Sequence, residues 1–191
     1  MNIKDLMNKY EHNREYYLSD EYNETQLRAD FLDPLFSLFG WDINNSSCKN
    51  TNDREVILEE PLKADASENT KKPDYTFRLF SERKFFLEAK KPKIKIETDN
   101  NPAKQVRRYG FTGKLKISVL SNFEYLAIYD CSKEINESDN VLNARLCLYH
   151  YKDYETNFDE INKYLGRESV YNGTFDDVWK DIEEQLKYSS V

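Results

Sequence analysis

Two runs of strictly alternating apolar residues constrain the fold of this chain more than any other feature. On either side of a break at residues 81–83, the odd-numbered positions carry Tyr75, Phe77, Leu79, Phe85, Leu87 and Ala89. A period of two is typical of β-strands that bury one face. The pattern therefore predicts a β-hairpin over residues 74–90, with its turn centred near Glu82.

The predicted hairpin brings acidic and basic side chains together at its open end. A turn at Glu82 would pair Asp74 with Lys90. It would also pair Thr76 with Glu88, on the face opposite the apolar stripe. Opposed Cβ atoms lie ~5 Å apart and diagonal ones ~7–8 Å apart, and carboxylates this close repel each other unless a cation lies between them. Since Mg2+ prefers oxygen ligands, we expect Asp74 and Glu88 to bind Mg2+ beside Lys90.

A predicted helix before the hairpin directs a third acidic residue toward it. Asn23 is typical of an N-cap, and Gln26 follows three residues later, as in a capping box. Glu24 shares one helical face with the apolar residues Leu27, Phe31, Leu35 and Leu38. Pro34 is expected to kink the helix and Gly40 to end it. Because the apolar face packs on the sheet, Glu24 is expected to face the hairpin.

The remaining periodicity predicts further strands and helices around this hairpin. Helices are expected over residues 3–18, from Asn101-Pro102 to Gly110 or Gly113, and in the acidic segment from Asp153 onward. Strands are expected over residues 41–47, 55–60, 115–121, 124–130 and 145–151. This order predicts an α/β fold with a mixed β-sheet flanked by helices. We expect a core domain at residues 1–152 and a helical extension at residues 153–191.

Four elements of this pattern, in this order, resemble the PD-(D/E)XK nuclease superfamily. They are Asn23–Arg28 with the following segment Phe31–Asp42, then Pro73-Asp74, Glu88-Ala89-Lys90, and Gln105–Tyr109 as a QxxxY element. Over roughly residues 20–130 the nearest resemblance is to the N-terminal cleavage domain of type IIG restriction-modification enzymes. The nuclease domain of type I restriction subunits comes next. The resemblance implies a restriction-endonuclease-like core and a Mg2+-dependent, site-specific DNA endonuclease of type II.

The resemblance also implies roles for individual residues. The implied metal ligands are Asp74, Glu88, the backbone carbonyl of Ala89, and Glu24, with Mn2+ able to substitute for Mg2+. Lys90 would orient or activate the attacking water and stabilise negative charge on the phosphorane, with Gln105 also at the catalytic site. The residues expected to contact DNA are Arg107, Arg108, Tyr109, Arg78 and Lys84.

The distribution of charge favours double-stranded DNA as a partner. The net charge is −7, but residues 71–116 contain 14 basic and 5 acidic residues, a local net charge of +9. The remainder has 14 basic and 30 acidic residues and a net charge of −16. Because screening at physiological salt acts over ~8 Å, a phosphate near residues 71–116 would experience mainly the positive field.

The sequence lacks the signatures of several other classes of protein. No apolar run approaches ~18 residues and the N-terminus has no secretory h-region, so we expect a cytoplasmic, prokaryotic-type protein with no membrane contact. Cys48, Cys131 and Cys147 have no CxxC spacing, and His12 and His150 lack ligand spacing, which disfavours a zinc site. No P-loop, Gly-rich cofactor loop or adenine-methyltransferase signature occurs.

The resemblance further implies parts of an enzyme that this sequence does not contain. A type IIG enzyme continues into a helical connector, a methyltransferase that binds S-adenosylmethionine, and a target-recognition domain. Arg167–Gly173 and Phe175–Tyr188 resemble the beginning of such a connector. A transient dimer on DNA is a further hypothesis, because cutting both strands needs two active sites or two events. The alternatives are a type I restriction subunit, a repair or recombination nuclease, and a non-catalytic DNA-binding or assembly module.

Overall fold

A mixed six-stranded β-sheet is the centre of the fold in the computed structural model, which describes residues 1–62 and 72–188. The strands are β1 (Val56–Leu58), β2 (Tyr75–Leu79), β3 (Glu82–Ala89), β4 (Ile117–Ser121), β5 (Tyr125–Asp130) and β6 (Arg145–His150), and they lie in the sheet in chain order. β3 and β4 are parallel, and the other neighbours are antiparallel. The predicted α/β fold with a mixed sheet is confirmed.

Helices cover both faces of this sheet. They are α1 (Ile3–His12), α2 (Arg14–Tyr17), α3 (Glu24–Leu27), α4 (Asp33–Leu38), α5 (Asn100–Thr112), α6 (Phe158–Leu165), α7 (Arg167–Asn172) and α8 (Thr174–Tyr188). A π-helical turn, Arg28–Leu32, joins α3 to α4, and a 3-10 turn, Tyr151–Asp153, follows β6. Within the described ranges, no helix has the length and apolarity needed to cross a membrane. Lys71, the first residue of the predicted basic segment, lies outside those ranges.

The hairpin formed by β2 and β3 has an earlier turn than the sequence predicts. Phe80 and Ser81 join the strands with φ angles of 52° and 66°. Positive φ at both central residues matches the right-handed twist of the flanking strands in a two-residue hairpin. Next to the turn, Leu79 pairs with Glu82, which is three positions from the predicted partner, and a register shift between Phe77 and Arg78 then returns the pairing by one residue.

The predicted pairing of individual hairpin residues is therefore wrong by two positions. Thr76 pairs with Phe86 rather than with Glu88, and the predicted pairing of Asp74 with Lys90 fails for the same reason. Because strand side chains alternate between faces, a displacement of two residues leaves each side chain on its predicted face. The acidic residues still lie opposite the apolar stripe.

The strand predicted at residues 41–47 does not form, because that segment makes local turns. The Asp42 carboxylate accepts hydrogen bonds from the backbone N–H of Ser46 at 2.7 Å and of Ser47 at 3.0 Å. Such local side-chain bonds compete with the sheet ladder for the same backbone groups. Gly40 has a φ of 92° at the end of the preceding helix, as its predicted stop position requires.

The N-terminal helices follow the sequence pattern with two interruptions. Asn13, with φ of −124° and ψ of 26°, separates α1 from α2 within the helix predicted at residues 3–18. Asn23 caps α3 and forms the predicted capping box with Gln26. The π-helical turn lies directly before Pro34, where a kink is predicted. Since Pro34 has no N–H, the wider turn accommodates the missing hydrogen bond.

Sheet side chains alternate between two apolar layers. One layer packs sheet residues such as Phe77, Phe85 and Leu87 against α1 to α4, α6 and α8. The other layer packs Phe86 and Leu120 against side chains of α5. Residues on the even-numbered positions of β3 therefore point toward α5.

The C-terminal helices pack on the same core as the sheet. Leu165 in α6 is completely buried in the layer that contains the hairpin residues. Its carbonyl accepts a 2.7 Å hydrogen bond from Trp41 Nε1. Arg167 at the start of α7 donates to the buried carboxylate of Glu55 at 2.8 Å. The division predicted after residue 152 stays a prediction, and these contacts join its two sides through one core.

Candidate functional site

The candidate site lies where the parallel strands β3 and β4 end. Ligands of open α/β sheets commonly bind beyond the carboxyl ends of parallel strands. Glu88 is the second-to-last residue of β3, and Lys90 follows the strand directly. The backbone N–H of Lys90 donates to the carbonyl of Ser121 at 3.0 Å, which extends the pairing of β3 with β4 by one residue.

Glu88 is a buried acid with incomplete hydrogen bonding. The residue is 5% exposed. Its Oε1 accepts a 2.8 Å hydrogen bond from Lys90 Nζ, whereas its Oε2 is buried and has no hydrogen-bond partner among the described residues. Burial and then the negative charge of Asp74 raise the pKa of Glu88 to about 7. A buried carboxylate oxygen without a donor is costly, and a bound cation would remove that cost.

Asp74 comes from the opposite strand of the hairpin and is fixed at both carboxylate oxygens. Its Oδ2 accepts from the backbone N–H of Ala89 at 2.7 Å, and its Oδ1 accepts from Arg28 at 3.3 Å. Burial raises the pKa of Asp74, although the Ala89 N–H and the charges of Arg28 and Lys90 oppose that rise. The structure thus brings Asp74, the Ala89 backbone and Glu88 together, as the motifs predict.

Lys90 supplies positive charge to this acidic group. Its side chain is 19% exposed and forms a 2.8 Å ion pair with Glu88. Burial alone would lower the pKa of Lys90, but the charge and hydrogen bond of Glu88 and the charges of Glu24 and Asp74 raise it above its ordinary value. Lys90 therefore remains an ammonium at neutral pH.

Glu24 approaches the same acidic group from the helical layer. It occupies the first turn of α3, directly after the cap Asn23. Burial raises the pKa of Glu24, and the charges of Lys90 and Asp74 also act on it. The prediction that Glu24 faces the hairpin agrees with this placement.

The QxxxY residues reach the site from α5. Gln105 Nε2 donates to the Tyr109 hydroxyl at 2.9 Å. The Tyr109 ring packs with Phe86 on the α5 face of the sheet. Burial raises the pKa of Tyr109, and the charges of Glu88 and Lys90 act on it as well. Tyr109 is therefore both a packing residue and a neighbour of the acidic group.

Two of the arginines expected to contact DNA are engaged within the protein. Arg107 is 4% exposed and pairs with Asp139 at 2.8 Å. Arg78 donates to the backbone carbonyls of Thr51 at 2.6 Å and of Arg54 at 2.9 Å. These partners occupy the guanidinium groups, so the structure does not bring Arg107 or Arg78 to the acidic group.

The other two basic residues expected to contact DNA have different surroundings. Lys84 pairs with Glu82 at 2.9 Å near the hairpin turn. It lies four residues from Glu88, which corresponds to ~13 Å along a strand. Arg108 is exposed on α5, one residue before Tyr109. Of these residues, Arg108 is the one whose position is compatible with a phosphate contact beside the site.

Arg28 is a charged neighbour of the site for which the sequence predicted no role. Its guanidinium lies 3.3 Å from Asp74 Oδ1 and 4.8 Å from the centre of the Tyr75 ring. The sequence contains a signal that could have identified it, because Arg28 follows Glu24 by four residues and so lies on the same helical face.

The donor set fits a hard divalent cation, although the side chains are not arranged as a complete cage. Among residues 1–62 and 72–188, no group of three or more His, Cys, Asp or Glu side chains has the spacing to hold a metal ion. Two carboxylates nevertheless meet here, and one buried oxygen of Glu88 has no donor. Mg2+ is often bound by one or two carboxylates together with water and substrate phosphate. The residues present therefore fit such an ion.

Comparison with known proteins identifies a sequence relative that is a restriction enzyme and methyltransferase. The chain is 63% identical over 195 aligned residues to the type II restriction enzyme and methyltransferase RM.Eco57I of Escherichia coli. The match covers 100% of this chain and 20% of that protein, so the chain spans about one fifth of the relative's length. No family model matches the chain. The relationship confirms the predicted resemblance to type II restriction-modification enzymes.

A search of solved structures gives a more distant similarity. The type IIG restriction endonuclease BpuSI aligns with 76% of this chain and 17% of its own chain. The TM-score is 0.42 and the sequence identity is 12%.

Proposed function

On the basis of this relationship to a type II restriction enzyme and methyltransferase, we propose that the chain is the DNA-cleaving domain of a restriction-modification enzyme. The observation that carries the proposal is the meeting of Asp74, Glu88 and Lys90 at the carboxyl end of β3, with a buried Glu88 oxygen that has no donor among the described residues. Its activity would be Mg2+-dependent hydrolysis of phosphodiester bonds in double-stranded DNA. The sequence relative favours a type II parent over a type I subunit.

The metal ligands in this proposal are Asp74, Glu88, the carbonyl of Ala89, and Glu24. When bound, Mg2+ or Mn2+ supplies a Lewis acid that polarises the phosphate and lowers the pKa of a water ligand. Asp74 and Glu88 would orient that ion, since Asp74 is fixed by the Ala89 N–H and Glu88 by Lys90. Glu24 would add a direct or water-mediated contact.

Lys90 would be the protein's own source of positive charge beside the reacting phosphate. Its ammonium lies 2.8 Å from Glu88 Oε1 and is mostly shielded from solvent. Positive charge that is already in place stabilises the negative charge that develops on a phosphorane without reorganising water. Gln105, which donates to Tyr109, would orient polar groups at the edge of the same site.

Contacts with the DNA backbone would come from the basic segment around the site. Residues 71–116 have a local net charge of +9. Arg108, which is exposed on α5, is the phosphate contact that the geometry supports best. Phosphate contacts position DNA without reading its sequence. We therefore assign target choice to other parts of the same polypeptide, a methyltransferase that binds S-adenosylmethionine and a target-recognition domain, with a cytoplasmic location and a transient dimer on DNA.

Plasmid cleavage by the full-length polypeptide tests this proposal. Lys90→Ala should lower the cleavage rate by ~100-fold to ~1,000-fold, because a preorganised charge at the reacting phosphate is lost. Lys152→Ala is a matched control, since it removes a lysine that pairs with Glu11 at 3.8 Å outside residues 71–116. Undiminished cutting by the Lys90→Ala enzyme would contradict the proposed mechanism. Calorimetry should show Mn2+ binding that Asp74→Asn and Glu88→Gln abolish.

A further inference from the structure

The Arg28 side chain joins the helical layer to the strand that carries Asp74. Its Nη1 donates to Asp74 Oδ1 at 3.3 Å, and its Nη2 donates to the Asp74 backbone carbonyl at 3.4 Å. Only 15% of the side chain is exposed. Arg28 thus contacts both the backbone and the carboxylate of one proposed metal ligand.

A residue that directly follows β1, the strand next to β2, also contacts Arg28. Glu59, which follows β1, lies 3.3 Å from Arg28 Nη1 through its Oε1. The backbone N–H of Glu59 also donates to the Asp74 carbonyl at 3.0 Å. Glu59, Arg28 and Asp74 therefore form a closed set of contacts in which each residue touches the other two.

The aromatic residue after Asp74 completes this arrangement. The Arg28 guanidinium lies 4.8 Å from the centre of the Tyr75 ring, within the range of a cation–π contact. The Tyr75 hydroxyl donates to Asp33 Oδ1 at 2.6 Å, directly after the π-helical turn that begins at Arg28. π-helical turns inside helices frequently occur at functional sites. Here the turn separates Arg28 and Asp33 so that both contact the same tyrosine.

We infer that Arg28 is a positioning residue that holds the Asp74 carboxylate in the orientation required for metal binding. The inference rests on the proposed function and extends it to a residue to which the resemblance assigns no role. Partners that orient metal ligands commonly contribute 10-fold to 100-fold to metal affinity or activity. Asp74 has such a partner on each oxygen, Arg28 on Oδ1 and the Ala89 N–H on Oδ2.

Substitution of Arg28 should change the metal affinity in opposite directions, depending on whether Arg28 positions Asp74 or contributes only its charge. A positive guanidinium close to the site repels a divalent cation, so its charge alone weakens metal binding. If Arg28 contributed charge alone, Arg28→Gln would tighten metal binding. If Arg28 positions Asp74, the same substitution weakens metal binding, because the gain from lost repulsion is smaller than the loss of orientation.

Mn2+ titration by calorimetry, without DNA, tests the inference. We expect Arg28→Gln to weaken Mn2+ affinity by ~10-fold or more. Arg28→Lys keeps the charge but loses the planar fork, and should weaken affinity as well. Glu59→Gln should weaken it by a smaller factor, because Arg28 loses one of its contacts. The matched control is Arg83→Gln, which removes an arginine that pairs with Glu60 at 3.1 Å, five residues before Glu88 in β3.

The outcomes distinguish this inference from the proposed function. Unchanged or tighter Mn2+ binding by Arg28→Gln, with normal binding by Arg28→Lys, would overturn the inference while leaving the function intact. If Arg28→Gln does not fold, Arg28→Lys and Glu59→Gln decide the question, and wild-type affinity in both would overturn it. Absence of Mn2+ binding by the unsubstituted chain would overturn the proposed function and the inference together.

Discussion

Replacing Glu88 with glutamine should change the pH dependence of stability in the metal-free protein. Burial and the nearby charge of Asp74 raise the pKa of Glu88 to about 7 in the folded protein, from an ordinary value of 4.5. The folded state therefore binds this proton more tightly than the unfolded chain. The associated stability is fully present below pH 4.5 and is lost as the pH rises through about 7.

The size of this effect follows from the difference between the two pKa values. A rise from 4.5 to about 7 corresponds to about 3 kcal/mol of stability lost between acidic and mildly alkaline pH. The Glu88→Gln protein has no carboxyl group to titrate at this position. Its free energy of unfolding, relative to that of the unsubstituted chain, should therefore increase by about that amount over the same pH range. For a protein of this size, that difference corresponds to roughly 6–12 °C in the unfolding temperature.

Urea unfolding in EDTA at pH 5 and pH 8 measures this difference. Adding Mg2+ at pH 8 should stabilise the unsubstituted chain and leave Glu88→Gln unchanged. Glu55→Gln is the control, because Glu55 is also buried but hydrogen bonds from Lys49 and Arg167 hold its pKa below the ordinary value despite that burial. Its replacement should destabilise the protein by about 3 kcal/mol at both pH values. Parallel pH profiles for the unsubstituted chain and Glu88→Gln would refute the reasoning.

Two further substitutions separate structural from DNA-binding roles, and a third tests the attachment of the C-terminal helices. Arg107→Gln should lower the free energy of unfolding, because it removes the 2.8 Å ion pair with Asp139 from a position that is 4% exposed. Arg108→Gln should change stability by less than about 0.5 kcal/mol but reduce the salt dependence of DNA binding by about one phosphate contact. Salt titrations of DNA binding and urea unfolding measure these effects, and a stable Arg107→Gln protein with reduced salt dependence would restore its phosphate role. Trp41→Phe removes the donor to the Leu165 carbonyl and should cost about 1–2 kcal/mol in urea unfolding, with no change if α6 is attached by apolar contacts alone.

Features that depend on neighbouring residues in the chain were predictable. The alternation from Tyr75 to Ala89 predicted the hairpin and the face on which Glu88 lies, because strand side chains alternate whatever the partner. The capping box at Asn23 likewise predicted the start of α3, and helical spacing placed Glu24 toward the site. These features are local, and so the sequence alone contained them.

Features that depend on distant residues required the tertiary structure. The hairpin turn at Phe80 and Ser81, together with the register shift after Phe77, moved the pairing by two positions. The choice between neighbouring turns depends on packing across the sheet. Arg107 resembles a phosphate contact in the sequence, yet a loop 32 residues later supplies its acidic partner.

The proposed site combines local features with features that depend on distant residues. The sequence by itself determined which residue types the site contains. Glu88 lies in β3, Lys90 directly follows β3 and Asp74 directly precedes β2, so the periodicity of two adjacent strands orients all three. The tertiary structure decided what surrounds these residues. Arg28 reaches Asp74 across 46 residues of sequence, and Glu88 acquires its raised pKa from burial between the sheet and α5. Burial and long-range contacts arise only when separate elements pack together, and a local sequence pattern does not specify which distant residues will pack against it.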